Sequence, residues 1–152
     1  MGYTHYWRRE KELNKDKFKA ASADCKKIAD WLKAPIQFEW NNPEPPVFDD
    51  TIIRFNGIED DGHETFLVTQ DYKHPFLKSN QPDEDGRYFT FCKTARKPYD
   101  TAVTACLIIL KHHFGDDIKV SSDGRNSEWR EGVNAVKTCL GYGEVPFNST
   151  QD

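Results

Sequence analysis

RYFTFCKTARKPYDTAVTACLIILKHHFG, residues 87–115, is the stretch whose reading decides the fold. Its first part, Arg87 to Thr94, is rich in aromatic and β-favouring residues and reads as a strand. Alternation puts Tyr88, Thr90 and Cys92 on one face and Phe89 and Phe91 on the other, so the strand has little to show to water. Pro98 suits the first turn of a helix, where its missing N–H costs nothing. From Ala102 to Leu110 only Thr104 is polar, which predicts a helix buried nearly all round. Lys111, His112 and His113 bring positive charge to its last turn, and Gly115 is a stop signal.

Between strand and helix lie Lys93, Arg96 and Lys97. A basic loop feeding a helix N-terminus combines fixed cations with free backbone N–H groups, a pairing that favours a phosphate or carboxylate. The alternative is a solvated loop whose lysines touch nothing.

Upstream, Tyr3 to Arg9 reads as a strand with Tyr3, His5 and Trp7 on one face and Thr4, Tyr6 and Arg8 on the other. One face can line a cavity where rings stack and His5 or Arg8 donates hydrogen bonds. Alternatively the rings pack while Arg8 and Arg9 stay in solvent. A helix from Asp16 to Lys33 follows, its stripe being Phe18, Ala21, Cys25, Ile28, Ala29 and Leu32. Ile36 to Trp40 reads as a half-buried strand, and the NNPEPPVFDD run as a rigid loop. Thr51 to Asn56 and Glu64 to Gln70 form a hairpin through Gly57 to His63, and Asp71 to Gly86 is long enough to be a lid. Beyond the central helix come a short strand, Ile118 to Ser122, and an Asp-Gly turn. A last helix starts near Ser127, with Trp129, Val133, Val136 and Leu140 as its stripe and Gly141 and Gly143 as its end.

Strands grouped between helices predict an α+β two-layer sandwich. Its sheet is mixed but mostly antiparallel, of about six strands, with three helices mainly on one side. Residues 1–147 read as one domain and 148–152 as a loose tail.

The 152 residues carry a formal charge of −4, which argues against non-specific nucleic-acid binding while leaving room for a local nucleotide pocket. Aromatic residues make up 13% and supply possible stacking platforms. Cys25, Cys92, Cys106 and Cys139 show no metal or disulfide spacing, which predicts free thiols. With no apolar h-region after Met1 and no membrane-length apolar run, a soluble protein of the cytoplasm with no membrane partner is expected. The acidic residues around Asp49 and Asp60 follow no calcium-loop pattern, HExxH is absent, and GxSxG, GxxxxGK[ST] and GxGxxG are all missing. No cofactor or metal is therefore expected.

His63-Glu64-Thr65 resembles one half of the paired His-x-Thr/Ser signature of the 2H phosphoesterases. In that family two histidines act as acid and base and two hydroxyls hold the phosphate. There is no second copy: Tyr6-Trp7 follows His5, and Phe114-Gly115 follows His113. The polar groups at strand ends and turns remain as candidates: His5, Trp7 and Arg8; Asn56; His63 and Thr65; Lys93, Arg96 and Tyr99; Ser121, Ser122 and Asp123. Cations and amides there suit a phosphate, Trp or Tyr suits a stacked base, and Asp123 or Asn56 suits sugar or base edges.

MGYTHYWRR (1–9), FCKTARKPYD (91–100), HHFGD (112–116) and VSSDG (120–124) together resemble a group of small uncharacterised proteins of phage and bacterial genomes. The resemblance covers most of the chain and transfers no catalytic residue. It implies a setting, since phage accessory proteins often act against host defence, some by binding or destroying cyclic nucleotides; the compartment would then be the host cytoplasm. The expected function is sequestration of a small anionic, nucleotide-like ligand, such as a cyclic oligonucleotide signal, by a protein free to form a homo-oligomer. The rivals are a phosphodiesterase using His63 with His5 or His113, and a protein-binding adaptor.

Overall fold

The computed structural model describes residues 2–73 and 81–147. The chain opens with strand β1 (Thr4–Arg9), then helix α1 (Lys15–Leu32). Asn14 starts α1 by accepting a hydrogen bond from the Lys17 N–H at 2.9 Å, and the left-handed Lys33 ends it. Phe18, Ala21, Ser22, Cys25, Ile28 and Ala29 form its buried stripe. Strands β2 (Ile36–Gln37), β3 (Val47–Phe48), β4 (Ile52–Gly57) and β5 (Phe66–Thr69) follow, then β6 (Tyr88–Lys93). Helix α2 (Asp100–Phe114), β7 (Ile118–Ser122) and α3 (Arg130–Leu140) complete the order.

This is an α+β sandwich, with its strands divided between two antiparallel sheets. One has the order β6–β1–β7; in the other, β4 pairs with β2, β3 and β5. Every strand pair among the described residues is antiparallel, in keeping with the mostly antiparallel pairing expected. The sheets meet where the Glu64 N–H donates to the Lys93 carbonyl at 3.1 Å and the Leu13 N–H to the Gln70 carbonyl at 3.0 Å. Between those points Trp7 and Phe66 pack ring to ring at 5.4 Å, so side chains fill the gap where the main chains part.

The reading of residues 87–115 holds for the helix: every residue of α2 from Ala102 to Leu110 is buried. Each such aliphatic side chain contributes about 1.5–3 kcal/mol by leaving water, which makes α2 the centre of the core. Helices α1 and α3 and strand β7 pack around it. The reading fails for β6, because Phe89 is 36% and Phe91 38% exposed. The helices cover only the face of the β6–β1–β7 sheet that carries His5, Trp7 and Cys92.

Other boundaries differ for local reasons. Strand β2 is shorter than read, because the Gln37 side chain bonds the Glu39 and Trp40 carbonyls and Glu39 pairs back onto Asn42. Strand β3 lies inside the run read as rigid loop, where Val47 and Phe48 pair with Arg54 and Ile53. A 3-10 turn, Asn126–Trp129, precedes α3, and the Arg125 backbone with the Glu128 side chain does the capping assigned to Ser127. All four cysteines are free thiols. Among the described residues no helix is long and apolar enough to cross a membrane. The middle of the expected lid, 74–80, and the expected loose tail, 148–152, lie outside the described residues.

Candidate functional site

Strand β1 decides where chemistry can sit, since its alternation sends neighbouring residues to opposite faces of the sheet. On the inner face, His5 is fully buried and both its ring nitrogens are engaged. Nδ1 lies 2.7 Å from Ser122 Oγ on β7, and Nε2 lies 2.7 Å from Asp100 Oδ1 in the first turn of α2. Ser122 Oγ also accepts the Gly124 N–H at 2.8 Å and the Trp129 Nε1–H at 3.2 Å. Neither of those groups can accept; with the serine hydrogen directed at Nδ1, the Nε2–H donates to Asp100. The Thr94 hydroxyl donates to the same carboxylate oxygen at 2.5 Å.

This order, Asp100–His5–Ser122, is that of an orienter, a base and a nucleophile. Its serine, however, donates once and accepts twice, and its histidine meets no water. The rings of Tyr3 and Trp129 close on His5 edge-on at 5.1 and 5.0 Å. Burial pushes the Tyr3 phenol well above the usual tyrosine range. Its hydroxyl presses on Gly124, where an added Cβ would lie 2.2 Å from it.

The basic loop covers this knot. Arg96 takes the left-handed conformation with φ of 58°, sets its guanidinium 4.1 Å over the Tyr3 ring, and pairs with Glu128 at 3.0 Å. The start of α2 meets the chain's own Asp100 carboxylate, as its dipole favours. Buried Tyr99 ties that start to the sheet seam by donating to the Glu64 carbonyl at 2.5 Å. His5, Arg96, Tyr99 and Ser122 thus converge, as do the stretches 1–9, 91–100 and 120–124.

The remaining predicted residues lie elsewhere. Trp7 is 1% exposed in the core. Asn56, fully buried, spends its side chain on the loop after β4: Oδ1 accepts the Gly57 and His63 N–H groups, and Nδ2 donates to the His63 carbonyl and the Thr65 hydroxyl. His113 pairs with Asp24 at 2.8 Å, and the Tyr142 hydroxyl shares that carboxylate oxygen at 2.7 Å. Arg9, an alternative solvent-facing residue, is 1% exposed and donates to the Thr69 and Gln70 carbonyls. Burial pulls its pKa down to about 10. Among the described residues no group of three or more His, Cys, Asp or Glu is placed to hold a metal.

On the outer face, cross-strand pairing aligns Thr4 with Lys93, Tyr6 with Phe91 and Arg8 with Phe89. Tyr6 and Phe89 stack with centroids 6.1 Å apart, and Phe89 and Phe91 lie at 5.9 Å. Asp123 orients the first ring by accepting the Tyr6 hydroxyl at 3.0 Å, its other oxygen accepting the Thr4 N–H at 3.1 Å. Arg8 sits 5.7 Å over Phe89 with Asp83 at 3.5 Å, and Lys93 stands at the opposite end of the row. A cleft of about 390 Å³ opens between β1 and β7 beside these rings. A larger cavity, about 710 Å³ beside the end of α2, contains none of the predicted site residues.

Lys93, Arg8 and Asp123 were among the sequence candidates; Tyr6, Phe89 and Phe91 were not. The signal for them was present, because Phe89 and Phe91 fall on the face opposite Cys92 and Tyr6 on the face of Arg8. Compared with known family profiles, with curated proteins and with solved structures, the chain matches none.

Proposed function

We propose that the outer face of the β6–β1–β7 sheet binds and sequesters a small anionic, nucleotide-like ligand, with a cyclic oligonucleotide signal as the suggested biological cargo. The observation that carries the reading is the row of Tyr6, Phe89 and Phe91, with Arg8 at one end and Lys93 at the other. An antiparallel sheet face with adjacent rings stacks bases whatever their identity, and cations at its rim meet the phosphates. The chain's overall negative charge then confines binding to this local patch and disfavours long nucleic acids.

Calorimetric titration with cyclic di- and trinucleotides, beside mononucleotides, tests the reading. Binding with recovery of intact ligand is expected. Base–aromatic stacking is worth about 1–3 kcal/mol per base, so Phe89→Ala should weaken binding roughly fivefold to a hundredfold. No binding by any member of the panel, or equal binding by the variant, would remove the platform from consideration.

A hydrolytic reading draws on the Asp100–His5–Ser122 order alone. Against it stand the saturated Ser122 oxygen and the buried His5, which leave a substrate no approach. The phosphodiesterase pairing of His63 with His5 or His113 has less support, since Asp100 and Ser122 hold His5, and Asp24 holds His113.

A further inference from the structure

Among the described residues strand β7 pairs with β1 on one side and forms the end of its sheet. The Asp123 N–H donates to the Thr4 carbonyl, and the Glu10 N–H to the Asp117 carbonyl, so odd-numbered residues of this segment turn their main chain toward β1. Even-numbered residues therefore turn theirs to the open edge. Ile118 fits this parity, because its carbonyl takes the Lys111 ammonium at 2.9 Å. Val120 and Ser122 are left with outward N–H and C=O groups, an arrangement that invites another strand.

The side chains along that edge are self-complementary. Lys119 stands directly opposite Arg8 across the β1–β7 pair, an unfavourable placement of like charges. Lys119 has no acidic partner among the described residues, whereas Arg8 has Asp83. Asp123 lies four residues on, on the same face, with Ser121 midway.

We infer that β7 is a dimerisation edge whose occupant is the β7 of a second copy, running antiparallel about a two-fold axis through Ser121. In that register Val120 faces Ser122 of the second copy, and each such pair exchanges both main-chain bonds, as the outward parity requires. Ser121 faces its own copy, and Lys119 faces Asp123 of the second copy at a position where side chains approach most closely. The contact is isologous and closes on itself. A two-fold axis perpendicular to the sheet keeps both outer faces on one side, so the paired copies present their aromatic rows on one continuous surface. The inference stands independently of what those rows bind.

A single strand pair buries little area, so the dimer is expected to be weak and concentration-dependent. Sedimentation of the full chain over a range of concentrations should show a monomer–dimer equilibrium. Lys119→Glu, which sets carboxylates against each other, should shift it to monomer. Ser121→Cys should cross-link to a covalent dimer under mild oxidation, since facing Cα atoms at such a position lie within disulfide reach. Lys119→Cys, whose thiol would face Asp123, should not cross-link. Three native cysteines are buried, and wild type is the control for the partly exposed Cys139. A wild type that stays monomeric throughout overturns the inference. So does equal cross-linking of the two cysteine variants, or a dimer indifferent to Lys119→Glu.

Discussion

Replacing Ser122 with alanine separates a structural knot from a catalytic relay. The serine oxygen accepts from Trp129 Nε1 and the Gly124 N–H, and its hydrogen satisfies His5 Nδ1. Trp129 and His5 are both fully buried, so neither can find water when the hydroxyl is gone. An orphaned buried polar group costs about 1–3 kcal/mol, which puts Ser122→Ala at about 2–6 kcal/mol for the two. A domain of this size is held by only about 5–15 kcal/mol, so the loss is a large fraction of the total. Urea denaturation should show the midpoint fall with an unchanged slope, and the melting temperature should drop by about 4–24 °C. If Ser122 were instead a nucleophile, its removal would abolish turnover and leave stability nearly untouched. A change below about 0.5 kcal/mol, the range of ordinary surface substitutions, would refute the structural account.

Gly124→Ala should cost about 1–3 kcal/mol, because the new methyl meets the Tyr3 hydroxyl in a closed corner; a denaturant midpoint equal to wild type would show that the corner gives way. Arg96→Ala should lower the melting temperature only slightly, since its pair with Glu128 is largely exposed and screened by solvent; a large drop would show that its cover over the Tyr3 ring is structural. Burial raises the Tyr3, Tyr99 and Tyr142 phenols above their ordinary 10.0, and the Cys92 thiol above 9.0, so the folded form holds protons that the unfolded chain releases. Their contribution to stability is therefore full below those unfolded values and is lost progressively as pH rises from them toward the raised folded values. Arg9, held down at about 10, acts in the opposite direction but is a single group. Urea midpoints should consequently fall between about pH 9 and 11, and a midpoint that rises there would reverse the sign of this argument.

The hairpin of β4 and β5, the buried helix α2 and the stripe of α1 were all legible, because each is written in a local period against a single core. Face membership was legible too: Tyr6 travels with Arg8, and Phe89 with Phe91, in the sequence as in the sheet. Strand β3 was hidden, because two residues beside prolines and aspartates carry no period of their own. They become a strand only by pairing with Arg54 and Ile53. Lys93, Arg8 and Asp123 share the outer face, and the candidate list did not separate them from His5 and Ser122, which lie through the sheet on its other side.

That separation marks the boundary between what the chain determines alone and what its tertiary structure decides. Alternation along β1, β6 and β7 determines which residues share a face, because it follows from backbone geometry within each strand. Which of the two faces is covered depends on where α1, α2 and α3 pack, and that depends on contacts between residues far apart in the chain. The helices take the side of His5, Trp7 and Cys92, so a histidine that reads as reactive becomes a buried strut. The same choice leaves two phenylalanines that read as core facing water, because an apolar ring is indifferent to its place in the sequence and responds only to what covers it.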